Sequence, residues 1–204
     1  QPDDALGGMI MAPNTLPLFP LHTVLFPEGH LSLRVFETRY IDMVRDCLRQ
    51  QTPFGVCLIR EGSEVGEPAM PYAVGTSALI IDTGMRAEGL LGIYTRGQRR
   101  FRIRSMEARP DRLVLAEVEW LDEGPAREPP PEPMRRLLAS LLEVERVPPV
   151  GPMSDARWVV YRLAERLPLR LAERQTVLEA ARLDEALLVV EEVARRLGLW
   201  VDEA

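Results

Sequence analysis

The sequence predicts an α+β chain: an antiparallel β-barrel over about residues 14–124, followed by an α-helical bundle over about 131–204. Up to Trp120 the apolar residues fall in short runs rich in Val, Ile, Leu and Phe, each bounded by glycine, proline or charged turns. Three consecutive prolines at 129–131 then stop both kinds of ladder, because proline has no N–H to give. Past them the leucines recur at helical spacing, and the strand pattern is gone.

The first element is the segment 16–26, LPLFPLHTVLF, read as a barrel strand and its following loop with Pro17, Pro20 and Pro27 fixing the path. Strands are expected at 31–35, 54–59, 74–82, 89–95, 99–106 and 113–120, and that many at this spacing point to a closed or nearly closed barrel. One helix interrupts them. Phe36, Tyr40, Met43, Val44, Cys47 and Leu48 share a face, Asp42, Arg45, Asp46 and Arg49 take the other, and Pro53 keeps the helix out of the next strand.

The boundary is EGPAREPPPEP at 123–133, an extended semi-rigid connector. Leucines 137, 138, 141 and 142 mark a helix over 134–147. A second begins after Ser154 as N-cap and ends before Pro168, with PPVGP at 148–152 as the turn between the two. Two more are expected at 171–181 and 184–197, Asp184 capping the last and Gly198 ending it. There is no fixed-period repeat.

The formal charge of −6 argues against a nucleic-acid or anionic-membrane partner, which calls for basic surface. Cys47 and Cys57 fall in helix and strand and read as small buried hydrophobes rather than a disulfide framework. No stretch approaches the ~20 apolar residues of a membrane span. The opening QPDDALGGMIMAPN has two acids and no basic region, unlike a secretory signal, so a cytoplasmic protein is expected.

Few residues offer chemistry. His22 and His30 lack the spacing of a metal pair, Ser63 in EGSEVG reads as a turn residue, and no two carboxylates are singled out. No cofactor, metal or catalytic residue is therefore expected. RGQRRFRIR at 96–104 holds five arginines in nine residues, yet alternation accounts for it: Phe101 and Ile103 inward, Arg100, Arg102 and Arg104 outward.

The stretch 16–40, LPLFPLHTVLFPEGHLSLRVFETRY, resembles the opening of the Lon protease N-terminal, substrate-binding domain. FGVCLIREGSEVG at 54–66, VGTSALI at 74–80, GQRRFRI at 97–103 and AEVEWLDE at 116–123 continue the likeness in the family's order over about the first 125 residues. The family's RxFExRY pattern is matched in full by Arg34, Phe36, Glu37, Arg39 and Tyr40. The resemblance implies a PUA-like pseudo-β-barrel that recognises unfolded or degron-bearing polypeptides without catalysis. A full-length Lon-like protease also needs a lysine in its phosphate-binding loop and another in its Ser-Lys dyad. All 25 basic residues here are arginine, so neither machine is expected in this chain, which looks like the substrate-binding part standing alone.

Candidate peptide-binding residues are Phe19, Leu21, Phe26, Arg34, Phe36, Glu37 and Arg39: apolar anchors with charges at the strand-to-helix corner. The competing account makes the apolar ones core residues and the charges an ion-pair lattice fixing that corner. Two other functions stay open on sequence. One is an RNA-binding module using the arginine face; the other is a structural module that buries a fixed partner or a second copy of itself.

Overall fold

A computed structural model describes residues 14–85, 90–123, 129–148 and 150–200. Its strands are β1 (Thr15–Leu21), β2 (His30–Val35), β3 (Phe54–Glu61), β4 (Met70–Pro71), β5 (Val74–Met85), β6 (Leu91–Ala108) and β7 (Val114–Trp120). The helices are α1 (Thr38–Gln50), α2 (Glu132–Glu145), α3 (Ala156–Arg166), α4 (Leu171–Glu179) and α5 (Leu183–Arg196).

Five strands close a ring in the order β1-β7-β6-β5-β3, completed by β3 pairing back to β1. The closing pair is parallel, Leu18 opposite Gly55 to Leu21 opposite Leu58, and departs from the antiparallel expectation. A parallel pair needs a long crossover; β2 and α1 supply it. The two-residue β4 was not foreseen, being too short for any pattern.

The strands expected at 89–95 and 99–106 are one 18-residue strand, β6, which starts only at Leu91; Gly89 lies outside the described residues. Gly97 does not break it. The loop at 26–29 approaches so closely that an added Cβ would sit 2.3 Å from the Phe26 carbonyl oxygen, and Gly97 trades backbone hydrogen bonds with Glu28 and Gly29 there. At this point β6 changes neighbour. Its first half pairs β2 and its second half pairs β7.

Helix α1 buries Tyr40, Met43, Val44 and Cys47 as expected, together with Arg39. Phe36 and Leu48, assigned to the same face, are instead exposed. Phe36 lies before the first helical turn, where the 3.6 period does not yet apply.

The connector reading at 123–133 lies partly outside the described residues, at 124–128. Helix α2 starts at Glu132, so Pro133 joins its first turn, where a missing N–H costs nothing. Asp155, one residue beyond the expected Ser154, caps α3 by accepting from the N–H groups of Arg157 (2.9 Å) and Trp158 (3.1 Å). Helix α5 starts one residue before Asp184, which sits in the first turn and pairs with Arg182; Glu185 takes the Arg182 N–H. Gly198, at φ +69°, ends the helix as expected.

The bundle core is continuous with one side of the barrel: Val24, Phe26, Leu58 and Val74 pack with Val160, Tyr161, Leu178 and their neighbours. Phe26 stacks on Tyr161 at 5.2 Å. Polar bonds span the same junction. Arg100 donates to Glu123 (2.8 Å) and to the carbonyls of Leu178 (2.7 Å) and Ala180 (3.0 Å). Gln175 donates to the Val74 carbonyl, and Arg162 to that of Pro27. Glu123 also accepts from Tyr161, whose hydroxyl is pushed up to about 12 by burial.

Candidate functional site

Where the ring passes from β1 to the β2–α1 corner, a gap is left. Residues 18–21 of β1 pair with β3 on one side, while β7 pairs only with residues 15–17. β7 begins at Val114, so beyond Pro17 β1 has no further pairing with it, and β2, paired with β6, lines the opening together with β1. The result is a cleft of about 240 Å³ between β1, β2, the start of α1 and the loop after β3.

Its floor is aromatic. Phe19 lies flat on Tyr40, ring centroids 4.0 Å apart and planes within 4°, and leans on Phe54 at 6.0 Å. The Arg39 guanidinium sits 4.7 Å from the centre of the Tyr40 ring. Burial pushes the Tyr40 hydroxyl up despite that cation. Leu21 and Leu33 extend the apolar surface, and Phe36 (56% exposed) and Val65 (53% exposed) line the cleft with them from two separate segments. Apolar side chains this exposed beside a concave apolar floor leave surface that association would bury.

The rim is charged, and its charges differ in what they already hold. Glu37 pairs with Arg39 at 3.2 Å, and Arg39 donates to the Arg112 carbonyl at 3.0 Å, so this pair fixes the strand-to-helix corner. Glu64 accepts from the His22 N–H at 2.7 Å and ties its loop to the end of β1. Arg34 is exposed, and among the described residues nothing pairs with it.

Five of the seven candidates, Phe19, Leu21, Arg34, Phe36 and Glu37, thus line one cleft. Two do not. Phe26 faces the helical bundle and is fully buried there, because the loop after β1 turns it away from its neighbours. Arg39 is buried beneath the corner as a structural cation. Sequence reasoning missed Ser32, Leu33, Tyr40, Glu64 and Val65. A valine flanked by charges and glycines in EGSEVG was the available signal, and it read as a plain turn. Ser63 does cap that turn, its Oγ accepting from the Val65 N–H at 3.4 Å.

The arginine stripe is also redistributed. Arg100 shares a face with Arg102 and Arg104, but the bundle covers that face at Arg100 and leaves it 2% exposed. The rest carry partners: Arg96 with Glu28, Arg102 and Arg104 with Glu119, and Arg99 over the Trp120 ring at 5.0 Å. Glu28 and Glu119 offset part of this charge and Arg100 is withdrawn from the surface, which reduces the cationic face open to phosphates. The histidines do not converge either: His30 stacks on Tyr94, and no grouping of three or more His, Cys, Asp or Glu fit for a metal occurs among the described residues. Cys47 and Cys57 are buried free thiols. No described helix is long and apolar enough to cross a membrane. A concavity of about 230 Å³ beside β5 and β6, with Met85 and Tyr94 in its lining, includes none of the candidate residues.

Such a cleft can bury apolar side chains and answer a charge. The same arrangement of elements occurs in known proteins. Residues 15–195 match the model of the ATP-dependent protease La (LON) substrate-binding domain. The chain is 30% identical to the Lon protease of Anaeromyxobacter dehalogenans over 90% of its own length, and 31% identical to Lon protease 2 of Syntrophobacter fumaroxidans over 86%. It spans about a quarter of those relatives, 23% in each case. Among solved structures, the Lon N-terminal domain protein from Xanthomonas campestris superposes with a TM-score of 0.70 and 35% identity, covering 92% of this chain and 99% of that one. The N-terminal domain of Mycobacterium avium complex Lon protease, at 17% identity, shares the fold with a TM-score of 0.65 over 89% of this chain and 98% of its own. The chain belongs to the Lon substrate-binding domain family.

Proposed function

We propose that the chain recognises unfolded or degron-bearing polypeptides at the cleft between β1 and β2, without catalysing a reaction there. The observation that supports this best is the exposure of Phe36 and Val65 beside the Phe19–Tyr40 floor, inside a rim of charges. Apolar anchors entering the cleft gain roughly 25 cal/mol for each Å² removed from water, and a few such anchors carry most of the affinity of a peptide site. Among the described residues, no histidine or cysteine lines the cleft. Working with other proteins, it would act as an adaptor or regulator linked to proteolysis or quality control.

Titration of the purified protein with an unfolded casein-like polypeptide, and with a folded protein as comparison, tests the reading. Phe36→Ala is the informative variant, because a side chain this exposed contributes little to the fold. Phe19 is unsuitable: it is 5% exposed and packed in the barrel core. The unfolded chain is expected to bind preferentially, about tenfold more weakly to Phe36→Ala, whose melting temperature holds. Equal binding of folded and unfolded chains, or an unaffected variant, refutes it.

A further inference from the structure

The cleft has a property that its apolar floor does not require. Strand β2 pairs with β6 along its full length, His30 opposite Arg96 to Val35 opposite Leu91, and among the described residues it has no strand on its other side. No β6 residue lines the cleft, whereas Phe19 and Leu21 of β1 do, so it is the unpaired edge of β2 that faces it. An unpaired edge presents N–H and C=O groups from every second residue, a ready template for another strand. Natural edges are usually blunted by proline, and the stretch of β1 beyond its pairing with β7 holds one: Pro20 has no N–H to give. The sequence of β2, HLSLRV, contains no proline, so its ladder is complete.

Charge selects further. Glu37 and Glu64 are already held by Arg39 and by the His22 N–H, while Arg34, on β2 itself, has no partner among the described residues. A backbone N–H leaves the charge of Glu64 in place, so a ligand carboxylate is answered at Arg34 itself and not along the whole rim.

We propose that the ligand of this cleft binds as an extended segment added to the free edge of β2, with alternate apolar side chains on the Phe19–Tyr40 floor and an acidic residue paired with Arg34. This rests on the reading of the cleft as a polypeptide site and specifies how the segment is held. Backbone pairing supplies affinity that is indifferent to sequence. The floor and Arg34 supply selectivity. An unfolded chain meets these terms because its backbone is unpaired; a folded protein does not.

The test uses a labelled peptide as long as β2, alternating leucine and threonine with one central aspartate, and two copies of it N-methylated at alternate residues, one copy for each register. Strand addition predicts that one methylated copy binds like the parent and the other about tenfold or more weaker, since only one set of N–H groups faces β2. Arg34→Glu should weaken the parent peptide and favour a copy with arginine in place of aspartate. Hydrogen exchange should show β2 amides unprotected on the free edge and protected in the complex.

Equal binding of both methylated copies overturns the proposal, as does Arg34→Glu without effect. So does β2 already fully protected in the free protein, which would mean that a second copy or another segment occupies the edge. If unfolded casein binds and the parent peptide does not, strand addition fails and polypeptide recognition stands. If neither binds, both fail.

Discussion

Arg100 is the residue whose removal should cost the fold most for its position in the sequence. It sits on β6 two residues from Arg102, on the same face, and the two look interchangeable in RGQRRFRIR. Arg100 is 2% exposed and donates three charge-assisted hydrogen bonds, one to Glu123 and two to the carbonyls of Leu178 and Ala180 at the end of α4. At about 1.5 kcal/mol net each these amount to about 4.5 kcal/mol, within the range of about 3–5 kcal/mol for removing one partner of a buried pair. Glu123 keeps its bonds to Tyr161 and Arg157, which lowers the loss. Arg100→Ala should therefore cost about 3 kcal/mol, or about 9 °C in melting temperature for a chain of this size. Arg102→Ala, losing only a half-exposed side chain 4.0 Å from Glu119, should stay within about 0.5 kcal/mol. Urea unfolding followed by circular dichroism reads both. A loss below about 1 kcal/mol for Arg100→Ala, or equal losses for the two variants, would refute the argument that burial at the barrel–bundle junction sets its weight.

Two further outcomes follow from the titrating groups. Burial pushes the Cys57 thiol far up and the Cys47 thiol to about 11, and the thiolate is the reactive form, so both should resist alkylation at pH 8 in the native protein and react promptly in urea; rapid native labelling, read by mass spectrometry, would contradict this. Glu173 is held down to about 2 by hydrogen bonds from the Arg170 side chain and N–H at the start of α4. A depressed carboxyl stabilises the fold above its unfolded value near 4.5 and loses that contribution as pH falls from there towards 2. The effect is small because the pair is solvated. Glu173→Gln should flatten the pH dependence of stability between about pH 4.5 and 2, and an unchanged slope in acid titrations monitored by urea unfolding would count against the assignment.

The sequence by itself determined the strand runs, the single helix among them and the helices beyond residue 131, because these depend on local periodicity and on residues that forbid a ladder. It also determined the family, since separate motifs agree in order and spacing. Where the local signal was ambiguous, reading by pattern went astray in specific ways. Gly97 looked like a break and is a close approach, since only another segment's carbonyl explains the missing side chain. Phe36 looked like the first residue of a helical face, yet the helix begins after it. Arg100 alternates correctly, but alternation states which residues share a face and not what covers that face.

The candidate cleft divides along the same line. Phe19, Leu21, Arg34, Phe36 and Glu37 were legible because they fall within one short motif. Val65 and Glu64 come from a loop roughly thirty residues further on, brought to the cleft by the pairing of β1 with β3, and nothing local announces them. Phe26 sits in the same motif and faces the opposite way, against Tyr161 of α3. Only the tertiary structure decided this, because side-chain direction in an irregular loop is set by what packs against it, and here that neighbour lies 135 residues along the chain, as the bond from Arg162 to the Pro27 carbonyl records.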